Sequence, residues 1–171
     1  MRPTTLISWF VQPVASFAAV VIALAPSATL AGSSGNFAPM RFMLGAWTCS
    51  GKALDGSAFS LTQTTTMSGD RMVTRDSEGK STTAIFWDSA KQQWVQTSES
   101  AQGSSTQTSS GWTGTSLVFT GTITIAGAPG AVGYRSTTVK VNDTQTQQLD
   151  ELAKPDGSWL TFDSAVCTKK T

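Results

Sequence analysis

The chain has 171 residues, with 12 Lys or Arg, 11 Asp or Glu, and no His. This near-neutral charge argues against nucleic acid or an anionic membrane surface as a partner, because both need a basic field. The lack of histidine removes Ser-His-Asp and Cys-His nucleophile systems, the commonest general base, and the usual zinc and haem ligands. We therefore predict no enzyme activity, no catalytic residue, no metal and no cofactor. A carboxylate- or tyrosine-dependent isomerase or hydrolase ranks third among the functions considered.

Residues 1–31 have the pattern of a cleaved secretory signal peptide. Arg2 precedes an apolar run over 14–25, and small residues at 29–31 form a cleavage site. A retained membrane anchor is the alternative, but prolines on both sides keep the run shorter than the ~20 residues that span a bilayer. The prediction is an exported protein, periplasmic or secreted, that is free of the membrane after cleavage.

The remaining chain suits one domain with one core. Residues 32–36 are small and polar and are predicted to be a flexible linker, and 37–171 form the domain. The domain begins with an apolar stretch over 37–44 that is too short for an ordinary helix. We expect it to form one helical turn that plugs the end of a barrel.

Ten short segments rich in Thr, Ser and Val follow, separated by turn residues such as Asp55-Gly56 and Asn142-Asp143. The segments are 46–53, 57–67, 71–77, 81–87, 93–100, 104–109, 116–125, 132–141, 144–152 and 158–167. β-Branched residues favour strands, and tight turns favour a meander. The pattern predicts an all-β fold, a single up-and-down antiparallel barrel of about ten strands. A two-sheet sandwich would need longer connections, and an outer-membrane barrel would need more outward apolar residues.

The two cysteines lie in the first and last predicted strands, at Cys49 and Cys167. An even number of cysteines in an exported chain favours a disulfide. Such a bond would tie the first strand to the last and contribute about 4–5 kcal/mol in the chain-entropy model. Two unpaired buried thiols are the alternative.

Aromatic residues occur in nearly every strand or turn, as expected for a common core, and some of them could instead line a ligand cavity. Trp47, Phe119 and Trp159 are the aromatic candidates for such a site. The adjacent Asp150 and Glu151 must face opposite ways and are expected to be solvated.

Arg135 is the candidate for binding a ligand head group. It shares a strand face with Val139 and Val141, and that apolar face is predicted to point inward. A buried arginine needs an acceptor, which Asp163 or an anionic ligand could supply. A solvated arginine near a strand end is the alternative. The facing of the last strand stays open, because a bulge would change which of its side chains point inward.

The segments 42–51, 86–94, 111–119 and 156–159, together with Cys167, resemble an uncharacterised bacterial exported family of the calycin group. Within the first segment, Gly45-Ala46-Trp47 is similar to the Gly-x-Trp start of lipocalin-type chains. The resemblance implies a ten-stranded barrel similar to nitrobindin and to fatty-acid-binding proteins, and binding of a small, partly apolar ligand.

Two features of the sequence depart from those relatives. Haem sites of the nitrobindin type use a histidine, which is lacking here. Fatty-acid carriers place Arg-x-Tyr on one strand face, whereas Tyr134 and Arg135 are adjacent and face opposite ways. The expected function is an exported, non-enzymatic barrel that binds a small, partly apolar ligand, with an anionic ligand as one option. The alternative is a structural or protein-interaction module with a filled core.

Overall fold

The computed structural model describes residues 36–170. The predicted signal peptide over 1–31 and nearly all of the predicted linker over 32–36 lie outside these residues. Within 36–170, no helix is long and apolar enough to cross a membrane.

The described chain is a 3-10 helix followed by eleven strands. The helix spans Ala38–Met43, and the strands are β1 (Gly45–Ala53), β2 (Ala58–Ser68), β3 (Arg71–Asp76), β4 (Ser81–Asp88), β5 (Gln93–Ser100), β6 (Gly103–Ser109), β7 (Trp112–Thr113), β8 (Ser116–Ile125), β9 (Ala131–Asn142), β10 (Gln145–Ala153) and β11 (Trp159–Lys169). Ten of these strands form the barrel wall, and the two-residue β7 adds to the edge of β8.

The sheet closes on itself. Each strand pairs antiparallel with its sequence neighbour, except that β6 passes over β7 to pair with β8, and β1 pairs with β11. The prediction of a closed, up-and-down, all-β barrel with a short N-terminal helical turn is therefore confirmed. The sandwich alternative is wrong, because one continuous ladder joins all ten wall strands.

Local turn chemistry explains why the strands end where they do. Side-chain oxygens of several turn residues accept a hydrogen bond from the backbone N–H two residues further on; among them are Asp55, Asp76, Asp88, Asn142 and Asp156. Such bonds stabilise tight connections without any long-range contact. The turns are thus encoded by residues within a few positions of each other, and this is why the sequence predicted them well.

The 3-10 helix closes one end of the barrel. Met40 is 1% exposed and packs in an apolar cluster with five residues from the wall: Met72, Ile85, Trp94, Leu117 and Phe119. The indole Nε1 of Trp47 donates a hydrogen bond of 2.8 Å to the carbonyl of Met43 and so holds the end of the helix to β1. The predicted plug is confirmed.

A second cluster lies where the first and last strands meet. Cys49 and Cys167 are register partners on β1 and β11 and form a disulfide, packed with Trp47 and Ala165. The predicted disulfide is present, and there is no free cysteine among the described residues.

A bulge in β11 sets the facing of its first half. Asp150 pairs with Asp163, whereas the next residue, Glu151, pairs with Thr161, so that Phe162 is the extra residue. Asp163 shares the inward face of Cys167 because four positions of regular strand separate them, whereas the bulge moves Trp159 to the outer face. The sequence alone did not determine which side chains of this strand point inward, because it could not locate such a bulge.

Candidate functional site

The barrel encloses a cavity of about 210 Å³ beyond the apolar plug cluster. Thirteen of the seventeen residues that line it carry a polar side chain, and Trp47, Met43, Ile85 and Cys167 supply its apolar part. The interior of this barrel is therefore mostly polar where the cavity lies, and apolar mainly at the plugged end.

Cross-strand hydrogen bonds order much of this polar wall. Thr65 and Thr74 share a hydrogen bond of 2.8 Å between their hydroxyls, and Thr83 bonds to Ser98 in the same way. Residues opposite each other on neighbouring strands point to the same side of the sheet, which brings these hydroxyls together. These four hydroxyls of the wall are thus satisfied by their own neighbours.

A glutamine pair continues the wall between β5 and β9. Gln107 is fully buried; its Oε1 accepts a bond of 3.1 Å from Gln96, and its Nε2 donates to the carbonyls of Phe119 and Tyr134. A buried amide with partners on both ends is rigid and costs little to bury. This side of the cavity is therefore preformed.

Two atoms of the wall have no hydrogen-bond partner within the described residues. They are Oδ1 of Asp150 on β10 and Oγ of Ser105 on β6, and both are buried. Leaving a buried polar atom unpaired costs about 1–3 kcal/mol, so native proteins rarely do it without a reason. Both residues line the cavity, where a ligand or water could satisfy them.

A carboxyl pair occupies the wall formed by β10 and β11. Burial, and then the charge of Asp150, raise the pKa of Asp163 to about 7. Burial also raises the pKa of Asp150, although contacts with Ser136, Tyr134 and Asp163 work in the opposite direction. Two adjacent carboxyls with raised pKa values titrate together, and one proton shared between them is the favoured state near neutral pH.

Tyr134 stands beside this pair and shares its environment. Burial raises the pKa of its hydroxyl far above the ordinary value, and the negative charges of Asp150 and Asp163 act in the same direction. The tyrosine is therefore neutral at every physiological pH and is a hydrogen-bond donor toward the carboxyls.

No Lys or Arg lines the cavity in the part of the chain that the structure describes, and Asp150 is its one ionisable residue besides Tyr134. Across residues 36–170, no group of three or more His, Cys, Asp or Glu is placed to hold a metal ion. The described residues thus give the cavity many hydrogen-bond acceptors and no basic side chain.

The structure contradicts the predicted position of Arg135. Tyr134 lines the cavity, so Arg135 lies on the outer face, where its Nε is 2.7 Å from Oε2 of Glu151 and its guanidinium lies 4.4 Å from the ring centroid of Trp159. The acceptor is Glu151, and neither Asp163 nor an internal ligand contacts the guanidinium. The reason is that the apolar face of β9 is the outer one: Val141 is 49% exposed.

The other predicted site residues are divided among three places. Trp47 lines the cavity, and Asp163, which is not itself a lining residue, is the register partner of the lining residue Asp150. Phe119 belongs to the apolar cluster around Met40, and Trp159 covers Arg135 on the outside. The structure brings Trp47 and Asp163 toward one cavity and places Phe119, Trp159 and Arg135 elsewhere.

Sequence reasoning missed Asp150, Ser105 and Tyr134. Asp150 and Glu151 do face opposite ways, but the expectation that both are solvated is wrong, since Oδ1 of Asp150 is buried and Glu151 is 9% exposed. The alternation Tyr134-x-Ser136-x-Thr138 was a signal of a polar face, and it was taken for the outer one.

No known family model matches this sequence, and no curated protein sequence matches it. Among solved structures, one similar chain is a protein of unknown function from the DUF3598 family of Nostoc punctiforme, with a TM-score of 0.32 and 11% sequence identity. The alignment covers 77% of this chain and 49% of that one, so this chain spans about half the length of the protein that it matches.

Proposed function

We propose that the barrel is a non-enzymatic binding protein for a small polar ligand held in its interior cavity. The observation that carries this proposal is a pair of buried, unpartnered polar atoms, Oδ1 of Asp150 and Oγ of Ser105, on two residues that line the cavity. A ligand with matching donors would recover the free energy that these atoms lose on burial.

The size of the cavity limits the ligand. Its volume of about 210 Å³ is below the 300–1,000 Å³ of ordinary ligand pockets. At roughly 30 Å³ for each water molecule, it has room for about seven waters, or a ligand with a similar number of non-hydrogen atoms. Trp47 and Ile85 offer such a ligand a small apolar contact, in keeping with a partly apolar molecule.

Two features favour export of this binding protein. Residues 1–31 have the signal-peptide pattern, and the Cys49–Cys167 disulfide is of a kind that persists in oxidising compartments. We propose a periplasmic or secreted location on these grounds.

A second candidate is a protein-interaction module. Val118 on β8, Val141 on β9 and Val166 on β11 lie exposed on the outer face of the barrel. Such residues are common singly on protein surfaces, and a patch of them marks an interface when it is large and contiguous. The unpartnered atoms inside the barrel favour the ligand-binding proposal over this one.

The test uses paired variants of β9 in a fragment screen monitored by amide and indole NMR signals. Ser136 faces the cavity and Thr137 faces outward, so Ser136→Leu fills the cavity and Thr137→Leu is its matched control. We expect neutral or cationic polar fragments to shift the signals of Trp47 and Ser105 in the native chain and in Thr137→Leu, but not in Ser136→Leu. If no fragment of any charge class shifts these signals in the folded native protein, the proposal is wrong.

A further inference from the structure

We infer that the ligand is a small organic cation whose ammonium group binds to the carboxyl pair of Asp150 and Asp163. This inference rests on the proposed function and specifies the chemical class of its ligand. It follows from the charge around the cavity, from the two unpartnered atoms in its wall, and from the protons that the carboxyl pair can exchange.

The negative charge of the pair is uncompensated inside the barrel. The ionisable groups that act on Asp150 are Tyr134 from β9, Asp163 from β11 and the adjacent Glu151 on β10, and none of these three is basic. The basic residues of β9 and β11 are engaged elsewhere: Nζ of Lys140 is 2.7 Å from Asp143, and Nζ of Lys169 donates to the carbonyl of Phe42. No basic side chain would therefore compete with a cation in the cavity for the carboxyl pair. The low dielectric of the interior would strengthen the attraction between the cation and the carboxyls.

The remaining strands around the cavity contribute no competing charge. Strands β1, β2, β4, β5 and β6 line the cavity with uncharged side chains, and no residue of β8 lines it. On β3, the lining residue is Thr74, and the carboxylate of Asp76 accepts backbone N–H groups of its own turn. Arg135 on β9 is paired with Glu151 on the outer face. An anionic ligand would find no positive partner in this cavity, whereas a cation finds the carboxyl pair.

The unpartnered atoms define what the cation must carry. An ammonium group has three N–H donors, enough to serve Oδ1 of Asp150 and a second acceptor. Ser105 is 6% exposed, its Oγ has no partner within the described residues, and the residue lines the same cavity from β6, three strands away from β10 around the barrel. A second polar group on the ligand, such as the hydroxyl of an amino alcohol, would satisfy it.

Cation binding and protonation compete for the same two carboxyls. The shared proton leaves to solvent when the ammonium group takes its place, so that up to one proton is released for each cation bound. With the pKa of Asp163 at about 7, affinity should increase by about ten-fold between pH 6 and pH 8.

The experiment compares three probes of nearly equal size: n-propylammonium, n-propanol and propionate. Each is titrated into the full exported protein, with the indole signal of Trp47 and the amide signals of Ser105 and Asp150 as the readout. We expect n-propylammonium to bind at least ten-fold more tightly than the other two, and more tightly at pH 8 than at pH 6. Asp150→Asn should abolish the preference, because it keeps the shape of the side chain and removes its charge.

Glu99→Gln is the matched control, since it neutralises an exposed carboxylate on the outer side of β5 and should change nothing. If Asp150→Asn fails to fold, Asp163→Asn tests the same pair. Binding of n-propanol as tight as that of n-propylammonium, unchanged in either variant, would overturn the cation inference and leave a polar binding protein. No binding of n-propylammonium to the folded native protein also overturns it, and the Ser136→Leu and Thr137→Leu screen then decides the proposed function separately.

Discussion

Asp150 and Asp163 face each other from neighbouring strands inside the barrel, as the last pair of the ladder that runs unbroken from Gln145 and Thr168 to the bulge in β11. Buried carboxyls of this kind prefer to be protonated. The pair therefore couples the stability of the barrel to pH, in a range where this chain has no histidine to titrate.

Stability should decrease as pH rises from 5 to 8. The pKa of Asp163 is raised to about 7 by burial, so the folded state binds a proton that the unfolded state has lost. The stabilisation that this proton provides is complete below a pH of about 4, which is the pKa of the carboxyl in the unfolded chain. It disappears as pH rises through 7. With a discount for the partial solvent access of Asp163, we expect the free energy of unfolding to fall by about 2 kcal/mol, measured by urea denaturation at each pH.

The control is the double variant Asp150→Asn/Asp163→Asn, which should show a nearly flat profile over the same range. Exposed turn carboxylates do not interfere: the pKa values of Asp55 and Asp156 are lowered by hydrogen bonds from serine, so they titrate below this window. A stability that increases with pH in the native chain would contradict the prediction.

Loss of the disulfide should destabilise the barrel without changing its fold. The bond links residues 118 positions apart, and reduction frees a long loop in the unfolded chain. We expect reduction, or the double variant Cys49→Ser/Cys167→Ser, to lower the free energy of unfolding by about 2–4 kcal/mol in urea. Protein isolated without reductant should contain no reactive thiol; full labelling by a thiol reagent at that stage would mean that the bond is not formed.

Arg135 should matter for stability and not for ligand binding. Arg135→Ala leaves the carboxylate of Glu151 buried without its partner, and we expect a loss of about 2 kcal/mol. The double variant Arg135→Ala/Glu151→Ala should lose less than the sum of the single variants, which a double-mutant cycle in urea measures. Strict additivity would show that the pair is not coupled, and a change in ligand affinity for Arg135→Ala would contradict its position outside the cavity.

Gly121 on β8 should tolerate no side chain. A Cβ at this position would lie 2.1 Å from the carbonyl oxygen of Thr106 and 2.7 Å from Cα of Gln107, both on β6. We expect Gly121→Ala to cost about 2 kcal/mol or more, because β6 and β8 must separate to admit the methyl group. Gly114→Ala is the comparison: its φ of +60° carries a cost of about 1 kcal/mol, but its surroundings are open. Equal losses in thermal unfolding would contradict the steric explanation.

Much of the fold was predictable because it depends on neighbours in sequence. The predicted strands 93–100 and 116–125 coincide with β5 and β8, since β-branched segments and turn residues such as Asp88 act over a few positions. The disulfide was predictable for a different reason: Cys49 and Cys167 lie in the first and last strands of a sheet that closes.

The candidate site was predictable only in part. Trp47 lies in the cavity wall and Asp163 is paired with Asp150 there, as a site built from strand faces allows. Arg135 was placed on the wrong side because its face carries Val139 and Val141, and an apolar face normally points to the core. Here the polar face of Tyr134, Ser136 and Thr138 lines a cavity, and the valines are outside.

By itself, the sequence determined the strands, their turns, the closing disulfide and the alternation of side chains along each strand, because these follow from contacts between residues close in the chain or at its two strand ends. Only the tertiary structure decided which alternate face points inward and where β11 bulges. The pleat sets a period of two and not its phase. That phase depends on the partner strands, and together with the register of β10 and β11 it places the facing carboxyls of Asp150 and Asp163 inside the barrel.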